Sequence, residues 1–187
     1  MIQYLATGAW TALVLLFAAA AEEFLFRGYP LSVVAERWGT GAALALTTAA
    51  FSILHGWNPN MDALTLLNIA MAGVLLGVVR IVTASLWHAI GVHLGWNFAT
   101  GFLSDLPVSG MSLVDAPLVE VTSSGGDLWT GGAAGLEGGL GSTLAIALAL
   151  AHVVRGKRRG RWRTPAAGAP LAAADAPSAT ATGEGVP

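Results

Sequence analysis

Five apolar stretches, residues 3–21, 41–56, 63–82, 84–104 and 133–154, each approach the roughly 20 residues that a helix needs to cross a bilayer. No other feature limits the fold so tightly. A backbone inside lipid must satisfy its own hydrogen bonds, and only helices and closed barrels do so. The balance of residues agrees: 55% of the 187 residues are hydrophobic, 11% are charged, and the mean hydropathy is +0.65, whereas a soluble domain carries about 25% charged residues. The expected fold is an all-α, polytopic transmembrane helix bundle of about five spans.

Between the first two stretches lies "FLFRGYPLSVVAERWGTG", residues 24–41, whose mixed pattern suits an amphipathic segment at the interface and whose Pro30 should end or kink the helix before it. Residues 105–132 are rich in Gly, Ser, Asp and Pro and read as a loop. Residues 164–187, with almost no large apolar side chain, should be disordered. The organisation expected is one membrane domain, residues 1–156, and a basic, then disordered tail, residues 157–187. Cysteine is absent, which excludes disulfides and thiol chemistry. No basic residue precedes the first stretch, so it does not resemble a cleaved signal peptide.

Six of the nine Lys and Arg fall in "RGKRRGRWR", residues 155–163. With that tail in the cytoplasm, counting back through five spans places every cation inside, and leaves Asp62, Asp105, Asp115, Glu120 and Asp127 outside. An integral protein of the plasma membrane with a cytoplasmic C-terminus is expected. Met1 then starts outside, three residues from the first span, as in a chain truncated of upstream helices.

Polar residues among the apolar stretches are few and patterned. At about 100° per residue Glu23 and Arg27 face the same way within about 40°, while Glu22 and Arg27 diverge by about 140°. Glu23 and Arg27 form the natural pair, which leaves Glu22 without a local partner near lipid. An ionisable group so placed marks a functional site unless it merely snorkels at the helix end. "FSILH" sets Phe51 and His55 four apart, and "HLGWN" repeats the spacing with His93 and Asn97. Together they give one carboxylate, two imidazoles and one amide from three helices. His88, about 140° from His93, and His152 beside the tail read as interfacial. Gly73-x-x-x-Gly77 and Gly91-x-x-x-Gly95 suit close helix approach.

The ordered triple Glu-Glu-x-x-x-Arg, Phe-x-x-x-His and His-x-x-x-Asn in a hydrophobic chain resembles the CPBP intramembrane protease family, the CAAX proteases and bacteriocin-processing enzymes. The resemblance covers residues 18 to about 100. It implies an intramembrane endopeptidase acting on a prenylated or other membrane-associated peptide, with Glu22 and His55 activating water, His93 and Asn97 stabilising the oxyanion, and Glu23, Arg27 and Phe51 in support. Such chemistry needs a base, a sequestered water and donors aimed at the tetrahedral oxygen.

Glu22, His55 and His93 also make a set that zinc could take, although no His-Glu-x-x-His is present. Zinc is thus an open expectation and no other cofactor is expected. The partners expected are membrane lipids and a peptide or protein substrate, with no nucleic acid, and the oligomeric state is left open. A non-catalytic bundle, acting as a proton or ion relay transporter or in peptide immunity, is the competing reading. Simple counting adds a conflict, since it puts Glu22 and His55 roughly 20 Å apart along the membrane normal at 1.5 Å per residue. The two meet only if the first helix continues to about Tyr29 and the second is short or tilted.

Overall fold

A computed structural model describes residues 2–113, 121 and 124–162. The disorder expected for 164–187 falls outside these residues, as does the part of the 105–132 loop at 114–120, 122 and 123. Six α-helices follow in order: α1 (Ile2–Glu23), α2 (Tyr29–His55), α3 (Ala63–Thr83), α4 (Leu86–Phe98), the short α5 (Asp127–Thr130) and α6 (Leu140–Arg158). Among the described residues there is no strand beyond one isolated bridge, Val108 to Met111. Among the described residues two segments are long and apolar enough to cross a membrane, Ile2–His55 and Ala63–Thr83.

Polarity is arranged inside out. Trp10, Phe17, Trp38, Leu67 and Leu148 are exposed, whereas Glu23, Arg27, Thr65, Asn68, Arg80 and Thr100 are almost completely buried. That is the arrangement of an integral membrane protein, whose apolar exterior meets lipid and whose polar groups find partners within the bundle.

The helix containing Glu22 does not stop at Glu23. A π-helical turn, Phe24–Gly28, carries it on before the backbone leaves the helical region at Gly28 (φ −76°, ψ −118°). Pro30 then sits in the first turn of α2, where its missing N–H leaves no helical acceptor unused. The segment read as interfacial is therefore helical, from Tyr29 up to a break at Gly39, close to where the second apolar stretch begins. Gly39 (φ 84°, ψ 160°) breaks α2, in a conformation that side chains on Cβ disfavour, so the part leading to His55 runs as a separate helix after the kink. His55 Nε2 lies 3.8 Å from Glu22 Oε2, not the roughly 20 Å that simple counting gives.

Helix α3 is central, packing on α2, α4 and α6, while α1 packs on α4. Its approach to α2 uses Gly77, where a Cβ would lie 2.4 Å from Leu44 Cδ1. Gly91 and Gly95 differ from expectation: neither has an atom within 4 Å of where a Cβ would be. They face open space, and Gly95 lines a cavity. Asn68 joins α3 to the start of α6. Its amide donates to the carbonyls of Glu137 (2.7 Å) and Gly139 (3.0 Å), and its oxygen accepts from Thr143 Oγ1 (2.7 Å). Residues 132–138 form two 3-10 turns, so the last long helix starts at Leu140, seven residues later than the apolar stretch suggests.

Asp62 caps α3, accepting from the Thr65 amide and hydroxyl, both at 2.7 Å. The Thr65 hydroxyl and amide hold its carboxyl below the ordinary carboxylate range. Asp62→Ala should therefore lower stability by about 1 kcal/mol near neutral pH. Because the folded-state value is depressed, this contribution is present above about pH 4 and is lost as pH falls through the folded value. Unfolding of both proteins in detergent at pH 7 and pH 3 checks it, and a gap that persists unchanged at pH 3 would contradict the capping assignment.

Candidate active site

The last turn of α1 points its two glutamates in different directions. Glu23 is fully buried and accepts from Arg27 Nη1 at 3.0 Å, the pair that the four-residue spacing anticipates. Arg27 Nη2 donates to the Gly73 carbonyl of α3 at 3.1 Å, and the guanidinium carbon lies 4.2 Å from the centre of the Phe51 ring. A Cβ at Gly73 would stand 3.3 Å from that nitrogen, so a bare glycine is what lets the two helices share the charge.

His93, on α4, brings Nδ1 to the same Glu23 oxygen at 2.9 Å. A carboxylate only accepts, so Nδ1 carries the hydrogen. His55, ending α2, sets Nδ1 2.8 Å from the Phe51 carbonyl, and the same argument applies. Each ring then presents Nε2 to Glu22, and both Nε2 atoms lie 3.8 Å from Glu22 Oε2. That oxygen is buried and accepts no hydrogen bond from the protein. The spacing is too long for a direct bond and short enough for one water to reach all three groups.

Phe51 sits under both imidazoles, with ring centres 4.3 Å from His55 and 6.2 Å from His93. Asn97 follows His93 by one turn and is buried beside it. The structure thus brings Glu22, His55, His93 and Asn97 together, with Glu23, Arg27 and Phe51 directly behind them. His88 and His152 are exposed and take no part.

Two cavities meet at this cluster. One, of about 350 Å³, runs between α3, α4 and α6 and is lined mainly by apolar side chains such as Ile69, Leu75, Val92 and Ile146. The other, of about 280 Å³, contains Glu22 with Leu15, Phe26 and Met111. His55, His93, Asn97 and Ser109 belong to both and form the wall between them.

The larger cavity also holds a carboxylate to which the sequence reading gives no role. Glu137 lies in the turn before α6, accepting from the Trp96 indole at 3.0 Å and from the Ser109 amide at 2.6 Å. Burial pushes its carboxyl above the ordinary range, opposed by those two donors and by nearby His55. Its position inside the fifth apolar stretch is the one signal that could have singled it out.

Zinc bound by carboxylate and imidazole at about 2.0–2.1 Å sets its ligand atoms about 3.3 Å apart. The Glu22 to histidine spacings are wider. Among the described residues no three His, Asp or Glu side chains are arranged as a metal site.

Residues 5–99 match the model of a protein family described as type II CAAX prenyl endopeptidase Rce1-like. The matched span contains all seven residues of the cluster and its support, and ends well before Glu137. No curated protein and no solved structure matches the chain.

Because Glu23 and Arg27 are both fully buried, removing either charge strands the other. Glu23→Gln and Arg27→Gln should each destabilise the protein by about 3–5 kcal/mol, and the double variant by less than the sum of the two. Chemical unfolding of the four proteins in one detergent checks this, and strict additivity would mean the charges are not coupled.

Proposed function

The chain belongs to the Rce1-like family of type II CAAX prenyl endopeptidases, and from that premise we propose that it hydrolyses a peptide bond within the membrane by water activated at Glu22 and His55. The observation that carries this reading is Glu22 Oε2, buried, without a hydrogen bond, and 3.8 Å from two imidazole nitrogens at the junction of two cavities. A water there gives its proton to Glu22 as its oxygen adds to the scissile carbonyl, with His55 Nε2 accepting its second hydrogen bond. The Asn97 amide, and His93 Nε2 when that ring carries both protons, donate to the resulting oxyanion. Collapse of the intermediate expels the amine, which takes the proton from Glu22. Every transfer uses side chains of this chain and one water.

The substrate is a membrane-associated peptide, prenylated or otherwise apolar beside the cleaved bond, and the larger cavity accepts its apolar part. The chain supplies five spans: α1, the portion of α2 after Gly39, α3, α4 with its π-helical extension Ala99–Leu103, and α6. The basic end of α6 lies in the cytoplasm, where its cations meet anionic headgroups.

Glu22→Gln keeps the size of the side chain and removes its basicity, so turnover of a cleavable membrane peptide should fall by about 10² or more without loss of folded protein. Washing the wild type with chelator should leave cleavage intact. A relay transporter would show altered proton-coupled flux in Glu22→Gln and no cleavage by any form. Normal cleavage by Glu22→Gln would remove the assigned base.

Orientation has its own test, made simple by the absence of cysteine. Ser124→Cys, exposed in the loop, should react with an impermeant maleimide on intact cells, and Ser178→Cys should react only after lysis. The reverse order would invert the topology.

A further inference from the structure

We propose that Glu137 is a positioning residue of this site: its carboxylate pins the Val108–Met111 turn and the Trp96 indole against the wall formed by His55, His93 and Asn97. The inference deepens the hydrolytic reading and rests on it, but it concerns a residue beyond the span that the family model matches.

The turn is built to need a hold. Val108 and Met111 exchange backbone hydrogen bonds at 2.9 and 3.0 Å, and the two residues between them, Ser109 (φ 49°) and Gly110 (φ 77°), both have positive φ. That is the form of a type I′ turn, in which glycine is at ease and serine is strained. Ser109 is also the turn residue that lines both cavities. Its amide, directed inward, would be an unpaired buried donor without an acceptor. Glu137 Oε2 supplies that acceptor at 2.6 Å, while Oε1 takes the Trp96 indole at 3.0 Å. Trp96 lies between His93 and Asn97 on α4, so one carboxylate ties the helix carrying two site residues to the turn that covers them.

The opposite side of the turn is fastened to the connection that follows His55. Asn58 donates to the Ser109 carbonyl at 3.2 Å and Asn60 to the Gly110 carbonyl at 3.1 Å. The turn therefore bridges the His55 and His93 sides of the site, and Glu137 supplies two acceptors to that bridge. Held there, it keeps the two cavities separate except at the site residues, which places a substrate carbonyl against the water and limits entry of further water.

Glutamine at 137 keeps the volume and one acceptor but turns an amide donor toward one of the two N–H groups. The experiment uses the full chain in proteoliposomes, with Met111→Cys as a reporter in a protein otherwise free of cysteine. Met111 lines the smaller cavity and is half-buried. Adding Glu137→Gln should raise the rate of Met111→Cys modification by N-ethylmaleimide about fivefold or more, and without the reporter should lower kcat per folded molecule about tenfold while KM changes less than about twofold. Glu137→Asp, which retains the charge, should recover part of both. Unchanged reporter reactivity, or unchanged kcat per folded molecule, overturns the proposal. Should Glu137→Gln fail to fold, Trp96→Phe carries the same two measurements, with a rise in reactivity and a fall in kcat expected. A wild type that cleaves nothing, with reporter reactivity still raised by Glu137→Gln, would sink the hydrolytic reading and leave the pinning of the turn standing.

Discussion

A buried charge that cannot reach water organises this bundle. Arg27 is fully enclosed, and so is its counter-ion Glu23. Two such ions stay in a low-dielectric interior only if geometry and further hydrogen bonds repay their lost hydration. The partners that do so come from three other parts of the chain. The Gly73 carbonyl fixes the height of α3, the Phe51 face fixes α2, and His93 Nδ1–H fixes the rotation of α4. Moving any of these helices strands a charge. Between helices in lipid there is little hydrophobic drive, so such polar ties and close packing decide the arrangement.

The same pair explains why the site is rigid behind and open in front. His93 spends Nδ1 on Glu23 and His55 spends Nδ1 on a backbone carbonyl, so neither ring can rotate without losing a hydrogen bond. Both Nε2 atoms are then left facing the cavities. Order in the supporting layer is what the proposed hydrolysis needs, since donors must be aimed before charge develops. The Glu22 carboxylate lines the smaller cavity, next to the His55 and His93 rings that both cavities share.

How much of this was legible in the sequence depends on the range of each interaction. The Glu23 to Arg27 pair is local, set by a four-residue helical spacing, and could be read directly. Phe51 with His55 and His93 with Asn97 follow the same rule, and their meeting with Glu22 was suggested by the family resemblance rather than by geometry. Gly73 and Gly77 were legible as close contacts, but Gly91 and Gly95 carry the same spacing and border open space. A glycine pattern states that approach is permitted, and only the partner helix decides whether it occurs. The late start of α6 was missed because single glycines among many give no hydropathy signal. Glu137 escaped for a different reason: its partners, Trp96 and Ser109, are 41 and 28 residues away, and a long-range acceptor leaves no periodicity.

Two chemically identical neighbours, Glu22 and Glu23, end in opposite environments, and the cause is the roughly 100° by which one residue turns along a helix. One residue of rotation takes Glu23 into the interior, against Arg27 and His93, and leaves Glu22 on the side toward the cavities, where its side chain is one third exposed. The π-helical turn that follows matters here, because widening the helix just after Glu23 alters the phase of everything downstream without changing that of the two glutamates. Arg27 lies within this turn and still reaches back to Glu23, while Phe26 is turned inward to pack edge-on against Phe51. A regular helix through Gly28 would shift Phe26 and Arg27 relative to Glu22 and Glu23, and the charge, the aromatic support and the reacting carboxylate would not all find their places at once. The local irregularity is thus the means by which one short stretch of chain supplies both the anchor of the bundle and the proposed base of its chemistry.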